Sequence, residues 1–203
     1  MTDARQRAPA CARNSDPILA VLKRVLPAKA KVLEIASGSG EHAIYFAAAM
    51  PGLDWLTSDP EPAARASIAA WIESEGAKNV RAPLNIDVRR QSWGVEGDAP
   101  FDAILSCNMI HISPWDSALG LFTGAQRLLS PGGQLILYGP FKRDDKHTAE
   151  SNEAFDASLK SRDPNWGVRD LAEVEREAAA RGLTLREIVA MPANNLTVIF
   201  AKS

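Results

Sequence analysis

A chain of 203 residues, 46% hydrophobic and 24% charged, is long enough to bury its own core and is ordinary for a globular protein. A net charge of −2 excludes a global electrostatic pull toward nucleic acid or an anionic membrane. Two cysteines, Cys11 and Cys107, and three scattered histidines exclude a disulfide framework and a zinc site, so no metal is expected.

The start, "MTDARQRAPACARNSDP", has no apolar stretch of signal-peptide type, and no run reaches the roughly 18 apolar residues of a membrane span. With the thiols read as reduced, this gives a cytoplasmic protein. The length fits one domain, residues 1–203, with residues 1–27 as an N-terminal flap and helix. Residues 1–14 read as loosely ordered. "SDPILAVLKRVLP" predicts a helix capped by Asp16, with Pro17 in its first turn and Pro27 as its stop. "AKVLEIA" is a short strand of buried type, "EHAIYFAAAM" a helix and "LDWLTS" a second strand. "PEPAARASIAAWIESEG" is a helix with Ala64, Ile68, Trp71 and Ile72 on one face and Gly76 at its C-cap.

"NVRAPLNIDV" holds a third strand, ending at Asp87, and "FDAILSCN" is a fourth. "SPWDSALGLFTGAQRLL" is a helix with Ser113 as N-cap, Pro114 first, and an apolar face of Trp115, Leu119, Phe122, Ala125 and Leu129. After a "PGG" turn, "QLILYGP" is a fifth strand. Residues 141–166 are polar and irregular, with a short helix near "AESNEAFDASLK", and are long enough to form a lid. "RDLAEVEREAAARG" is a helix that Asp170 starts and Gly182 ends. "LTLREIVA" and "NLTVIFAK" are the sixth and seventh strands, joined by "MPANN". Alternation of strands and helices gives an α/β fold: a mainly parallel seven-stranded sheet, helices on both faces, and a final hairpin that makes the last strand antiparallel.

In such a sheet ligands bind beyond the C-terminal strand ends, at the switch point. The turn after the first strand, "LEIASGSGEH", is therefore the candidate site. Gly38 and Gly40 let the backbone bend and leave room for a ligand, and the following helix presents free N–H groups. "GSGEHA" fits the dinucleotide pattern through Gly38, Gly40 and Ala43, which would make the protein an NAD(P)-dependent oxidoreductase. Glu34 argues otherwise, because a carboxylate repels a pyrophosphate but favours a sulfonium and an ammonium. Asp59 ends the second strand 19 residues after Gly40, close to the ~20 expected of an acid that binds ribose hydroxyls; capping the next helix is its alternative. Asp87 can accept from an adenine amino group while Val88 packs on the ring, or be a plain turn residue.

"EIASGSG" also resembles the first motif of class I S-adenosylmethionine (SAM) methyltransferases, with Ala36 at the usual first glycine. "FDAILSCNMIHI" and "LLSPGGQLILYGP" resemble the fourth strand, PGG turn and fifth strand of that superfamily, and the likeness covers about residues 28–202. "ARNSDPIL", "CNMIHISPW", "NEAFDASLKSRDPNWGVRDL" and "MPANNL" narrow it to a small methyltransferase-like family of bacteria and animals, long labelled a domain of unknown function. The resemblance implies a Rossmann-like doubly wound fold and SAM as cofactor, leaving S-adenosylhomocysteine as product. It implies a cofactor site of Arg13, Asn14, Glu34, Ala36, Ser37, Gly38, Gly40, Asp59, Pro60, Asp87, Val88, Asn108 and Met109.

The acceptor side would hold Trp115, Trp166, Asn194 and Asn195, with ordinary helix core as the alternative for Trp115 and a plain hairpin turn for Asn194 and Asn195. His111 is the candidate base, since an ordinary histidine pKa suits proton transfer near neutrality; a structural histidine is its alternative. His42, at the start of a helix, reads as a surface or capping residue. "NMIH" differs from the Asn-Pro-Pro-aromatic tetrapeptide of enzymes that methylate nucleic-acid amino groups. A small-molecule acceptor is therefore expected, with no nucleic-acid or membrane partner, in a monomer or homodimer. A non-catalytic SAM-binding or partner-binding module on the same fold is the other reading.

Overall fold

The computed structural model describes residues 3–203. The first two residues of the expected flap lie outside the described residues. The elements run α1 (Pro9–Val25), β1 (Ala30–Ile35), α2 (Glu41–Ala49), β2 (Leu53–Ser58), α3 (Pro62–Glu75), β3 (Val80–Leu84), β4 (Phe101–Cys107), α4 (Trp115–Leu128) and β5 (Leu129–Gly139). There follow a small hairpin of β6 (Lys142–Arg143) and β7 (Lys146–His147), then α5 (Glu150–Arg162), α6 (Leu171–Ala179), β8 (Leu183–Met191) and β9 (Asn195–Lys202).

Seven strands form one sheet in the order β3-β2-β1-β4-β5-β9-β8. All neighbours pair in parallel except β9, which is antiparallel to both β5 and β8. The fold is the mostly parallel, doubly wound sheet that the alternation of elements predicts. The chain leaves β1 for β2 and β3 on one side, then returns to β4 on the other, so the switch point lies between β1 and β4.

Strand side chains alternate between two cores. Val32, Trp55, Leu105, Ile136 and Ile199 face α1 and α2, where Ile18, Leu22 and Phe46 pack. Leu33, Ile35, Ile104, Leu135, Leu137 and Phe200 face the opposite side, with Leu121, Phe122 and Ala125 of α4 and Val174 of α6. Each fully buried large side chain of this kind contributes roughly 1.5–3 kcal/mol.

Several local expectations need correction. α1 begins at Pro9, not at Asp16, and Pro17 lies inside it. Proline has no N–H, so the Arg13 carbonyl loses its helical donor, yet burial of Ile18, Leu19, Val21 and Leu22 keeps the helix intact. The preceding residues are strapped down rather than loose. Gln6 N donates to Ser67 Oγ at 2.8 Å, Trp71 Nε1 to the Gln6 carbonyl at 3.0 Å, and Ala8 N to Glu41 Oε2 at 2.6 Å. β3 stops at Leu84, so Asp87 stands in the loop beyond it. In α4 the capping position is Pro114, because the Ser113 hydroxyl turns back to the Met109 carbonyl at 2.7 Å. The buried face of α4 is Ala118, Leu121, Phe122, Ala125 and Leu128, one position off the expected stripe at Leu119. Residues 141–166 are ordered as the β6–β7 hairpin and the 13-residue α5.

Candidate cofactor and acceptor site

The loop after β1 is pinned to the end of β2. Ser37 N donates to the Ser58 carbonyl at 2.8 Å, and the Ser58 hydroxyl to the Glu34 carbonyl at 2.7 Å. Ala36 (φ 56°), Gly38 (φ 58°) and Gly40 (φ 90°) are all left-handed. The two glycines serve different ends. A Cβ on Gly40 would lie 3.0 Å from the Ile68 Cα, so this glycine admits α3; a Cβ on Gly38 would meet nothing within 4 Å. Gly38 therefore borders open space. Ala36 holds a conformation that costs a residue with a Cβ roughly 1–2 kcal/mol. Asn108, at the end of the adjacent β4, does the same at φ 61°. Such strain on both sides of the switch point is characteristic of a functional loop.

Three carboxylates stand at or beyond the ends of β1, β2 and β3. Glu34 is 2% exposed and accepts from Trp55 Nε1 at 3.0 Å. Burial raises its pKa to about 7, against hydrogen bonds from Trp55 and Ser37 that lower it. Asp59 is buried; it accepts from Gly38 N at 3.0 Å and from Glu61 N at 2.9 Å, and burial raises its pKa. Exposed Pro60 follows, its carbonyl held by Arg65. Asp87 is gripped by Arg89 through Nε at 2.9 Å and an Nη at 2.8 Å, which holds its pKa below the ordinary value. Val88 is buried, and its carbonyl accepts from Trp93 Nε1 at 3.3 Å.

α1 closes one side of the strand ends. Buried Asn14 has its Oδ1 2.8 Å from His42 Nε2 and lies near the Tyr138 phenol on β5. Arg13 beside it is exposed, with its charge near Tyr138. His42 is thus a buried linker rather than a surface residue. It stacks on Phe46 at 5.1 Å, and burial drives its pKa to about 4. Tyr138 has no role in the sequence reading. The phenol at the end of "QLILY" was the one available signal, as a polar tip where an apolar strand meets the ligand edge.

After β4, Asn108 N donates to the Tyr138 carbonyl at 2.7 Å, and Met109 is buried. His111 is fully buried, edge-on to Phe141 at 5.0 Å. Burial and the Arg169 charge lower its pKa to about 3, so the near-neutral pKa expected of a base is not present. Its Nδ1 accepts from Arg169 N at 3.2 Å, which puts the proton on Nε2; that atom has no partner among the described residues. Gly139 must be small there, because a Cβ would lie 2.7 Å from His111 Nε2.

Trp115 and Trp166 are half-buried. The Arg169 guanidinium lies 5.5 Å from the first ring and that of Arg162 5.5 Å from the second. Arg169 also donates to the carbonyls of Ile110, Ser113 and Asn165, fastening the loop after β4 to the segment before α6. Asn194 ends the β8–β9 connection and Asn195 opens β9. Asn195 Nδ2 donates back to the Pro192 and Ala193 carbonyls at 3.1 and 3.2 Å, and the Asn194 carbonyl accepts from buried Asn152 at 3.0 Å. The structure thus groups Glu34, Ala36–Gly40, Asp59, Asn108 and Asn14 around one edge, and sets Asn194 and Asn195 on the far side of β5. Among the described residues no group of three or more His, Cys, Asp or Glu could hold a metal ion, and no helix is long and apolar enough to cross a membrane.

A family model described as "Protein of unknown function (DUF938)" matches residues 5–202. A tRNA (guanine-N(7)-)-methyltransferase of Rhodopseudomonas palustris is 33% identical over 89 residues, 44% of this chain and 33% of that protein. This chain therefore spans about a third of the length of the curated relatives it matches. A putative O-methyltransferase of Nostoc punctiforme superposes with a TM-score of 0.83 at 18% identity, covering 98% of this chain and 58% of that one. The S-adenosylmethionine-dependent methyltransferase SibL gives 0.75 at 22% identity, covering 95% and 55%. The fold is that of the SAM-dependent methyltransferases.

Proposed function

The chain belongs to that family of unknown function, and from this premise we propose that it is a SAM-dependent methyltransferase acting on a small molecule. The observation that carries the reading is the cradle at Gly38. There a left-handed glycine borders open space and donates its N–H to the Asp59 carboxylate, one strand away from buried Glu34. Bound there, SAM would supply a methyl group on a sulfonium, which leaves without help from an acid.

The chain's own residues then bind, orient and exclude water. Asp59 has a lone pair left on each oxygen beyond its two backbone donors, enough for two ribose hydroxyls. Glu34 offers a carboxylate to the cationic end of the cofactor, and exposed Arg13 a guanidinium to its carboxylate. Ala36 and Ser37 shape the turn; Pro60 starts the loop beneath the ribose. Asp87 and Val88 bound the adenine end, with Arg89 holding the carboxylate in place. Asn108 and Met109 border the methyl group, and Asn14 holds α1 across the strand ends. Neutral His111 supports the loop that carries Asn108. Trp115, Trp166, Asn194 and Asn195 face the acceptor. A monomer or homodimer in the cytoplasm, with Cys11 and Cys107 as free thiols, completes the reading.

A small acceptor is favoured by the net charge of −2, which gives no net attraction to a phosphate backbone. Incubating the protein with methyl-labelled SAM and a cell extract separated into metabolites, RNA and protein tests this. Label is expected among the metabolites. Label in RNA alone would overturn the small-acceptor reading.

A further inference from the structure

Beyond β5 lies a cavity of about 240 Å³ lined by Arg143, Thr148, Ala190, Met191, Asn194, Asn195 and Leu196. We infer that it binds the carboxylate end of the acceptor, an inference that rests on the methyltransferase reading above. The two residues of β6 point to opposite sides of the hairpin. Lys142 turns inward, with Nζ 3.7 Å from the Asp156 carboxylate, while Arg143 lines the cavity with no ion-pair partner among the described residues. The Thr148 oxygen accepts from Asn152 Nδ2 at 3.1 Å, so its hydroxyl proton is free to donate. No Asp or Glu lines the cavity.

One guanidinium and one hydroxyl match a monoanion; a doubly charged phosphate would be left half-neutralised. Ala190, Met191 and Leu196 supply an apolar wall for the carbon next to the carboxylate. The volume is below the roughly 300–1,000 Å³ of whole-ligand sites, as suits one end of a molecule.

Register ties this cavity to the candidate methyl site. Leu196 pairs with Gly139, and Asn108 N bonds the carbonyl of Tyr138, the residue before it. The cavity is thus about two strand spacings, roughly 10 Å, from Asn108. The turn that builds it is over-determined. Ala193 (φ 54°) and Asn194 (φ 57°) are both left-handed, and buried Asn152 and the Asn195 carboxamide hold them there.

Saturation-transfer NMR on the protein loaded with S-adenosylhomocysteine tests the inference with four probes: benzoate, 3-phenylpropionate, benzamide and phenyl phosphate. Both carboxylates should bind in preference to benzamide and phenyl phosphate. Arg143 is exposed, so Arg143→Gln should fold and weaken carboxylate binding about tenfold or more. Lys78→Gln, the same charge change in the turn before β3, should leave binding as it was. Equal binding of benzamide, preference for phenyl phosphate, no carboxylate binding, or no loss in Arg143→Gln would overturn the subsite. Titration of the unloaded protein with S-adenosylhomocysteine separates the two ideas. Failure there refutes the methyltransferase reading even if benzoate binds through Arg143; success there without carboxylate binding refutes the subsite alone.

Discussion

Gly38 and Gly40 sit two residues apart with the same left-handed backbone, yet their replacement should fail in different ways. Gly40→Ala adds a clash with Ile68 to the same backbone strain and should cost about 2–5 kcal/mol of stability, read from denaturant unfolding. Gly38→Ala meets no neighbour; it should cost only the roughly 1–2 kcal/mol of backbone strain, while a larger loss appears in SAM affinity. Equal stability losses with unchanged SAM binding in the Gly38 variant would mean that the open space there holds no ligand. Glu34 adds a pH dependence. Its ordinary pKa of 4.5 rises to about 7 in the fold, so it favours the folded state below pH 4.5 and that contribution is lost as pH rises toward 7. A cationic ligand draws on the ionised form. SAM affinity should therefore increase between pH 6 and 8, and Glu34→Gln should flatten the curve in a calorimetric titration. An unchanged slope in that variant would refute the role of Glu34. The position of Glu34, Gly38 and Asp59 at the ends of β1 and β2 was legible because apolar strand runs stop at them. The Arg89 grip on Asp87, the Trp55 bond to Glu34 and the buried His42 were not legible, since each depends on a partner set by tertiary packing.

Among the elements, strands were read more surely than helix ends. Each strand's apolar run is bounded by a turn, and its two faces are fixed by alternation between two cores. Helix starts are set by whichever backbone groups find partners. Pro17 after Asp16 is a good start signal, but burial of Asn14 and Ser15, together with Pro9 at the first position, extends α1 by eight residues. The segment of residues 141–170 is a clamp rather than an irregular stretch. The hub is Asp156, which accepts from Val168 N at 2.7 Å and from Lys160 at 2.6 Å, with His147 at 3.3 Å. Although burial opposes ionisation, Lys160 and the Val168 N–H hold its pKa below the ordinary value. Asp156→Asn should lower stability by about 1.5–3 kcal/mol, the worth of hydrogen bonds to a charged group, with exchange of the α5 and Val168 amides accelerated. Exchange unchanged in that segment would show that the clamp is held elsewhere. The polar composition concealed this, because the buried polar residues Asn152 and Asp156 look like surface residues until their partners are known.

For the whole molecule, the alternation of elements gives the mostly parallel sheet and the final hairpin its antiparallel strand, whereas the strand order, which puts the switch point between β1 and β4, is set by tertiary pairing. Acid should loosen the assembly at α1 and behind β4. His42 and His111 ionise near 6.5 when exposed, but at about 4 and about 3 in the fold. The stability they contribute is complete above pH 6.5 and is lost as pH falls toward those values. Glu34 and Asp59, whose pKa values burial raises, act in the opposite direction, so the His42 contribution is isolated by substitution. Between pH 7 and pH 5 the denaturation midpoint of the wild type should fall relative to that of His42→Gln; parallel curves would place the acid sensitivity elsewhere.

The most direct measurement is calorimetric titration of the wild-type protein and Asp59→Ala with SAM, S-adenosylhomocysteine, NADH and NADPH. The account predicts binding of the first two alone, weakened by roughly 1.5–3 kcal/mol in the variant through lost hydrogen bonds to a carboxylate. Binding of a nicotinamide cofactor without SAM, or SAM affinity indifferent to Asp59, would contradict it.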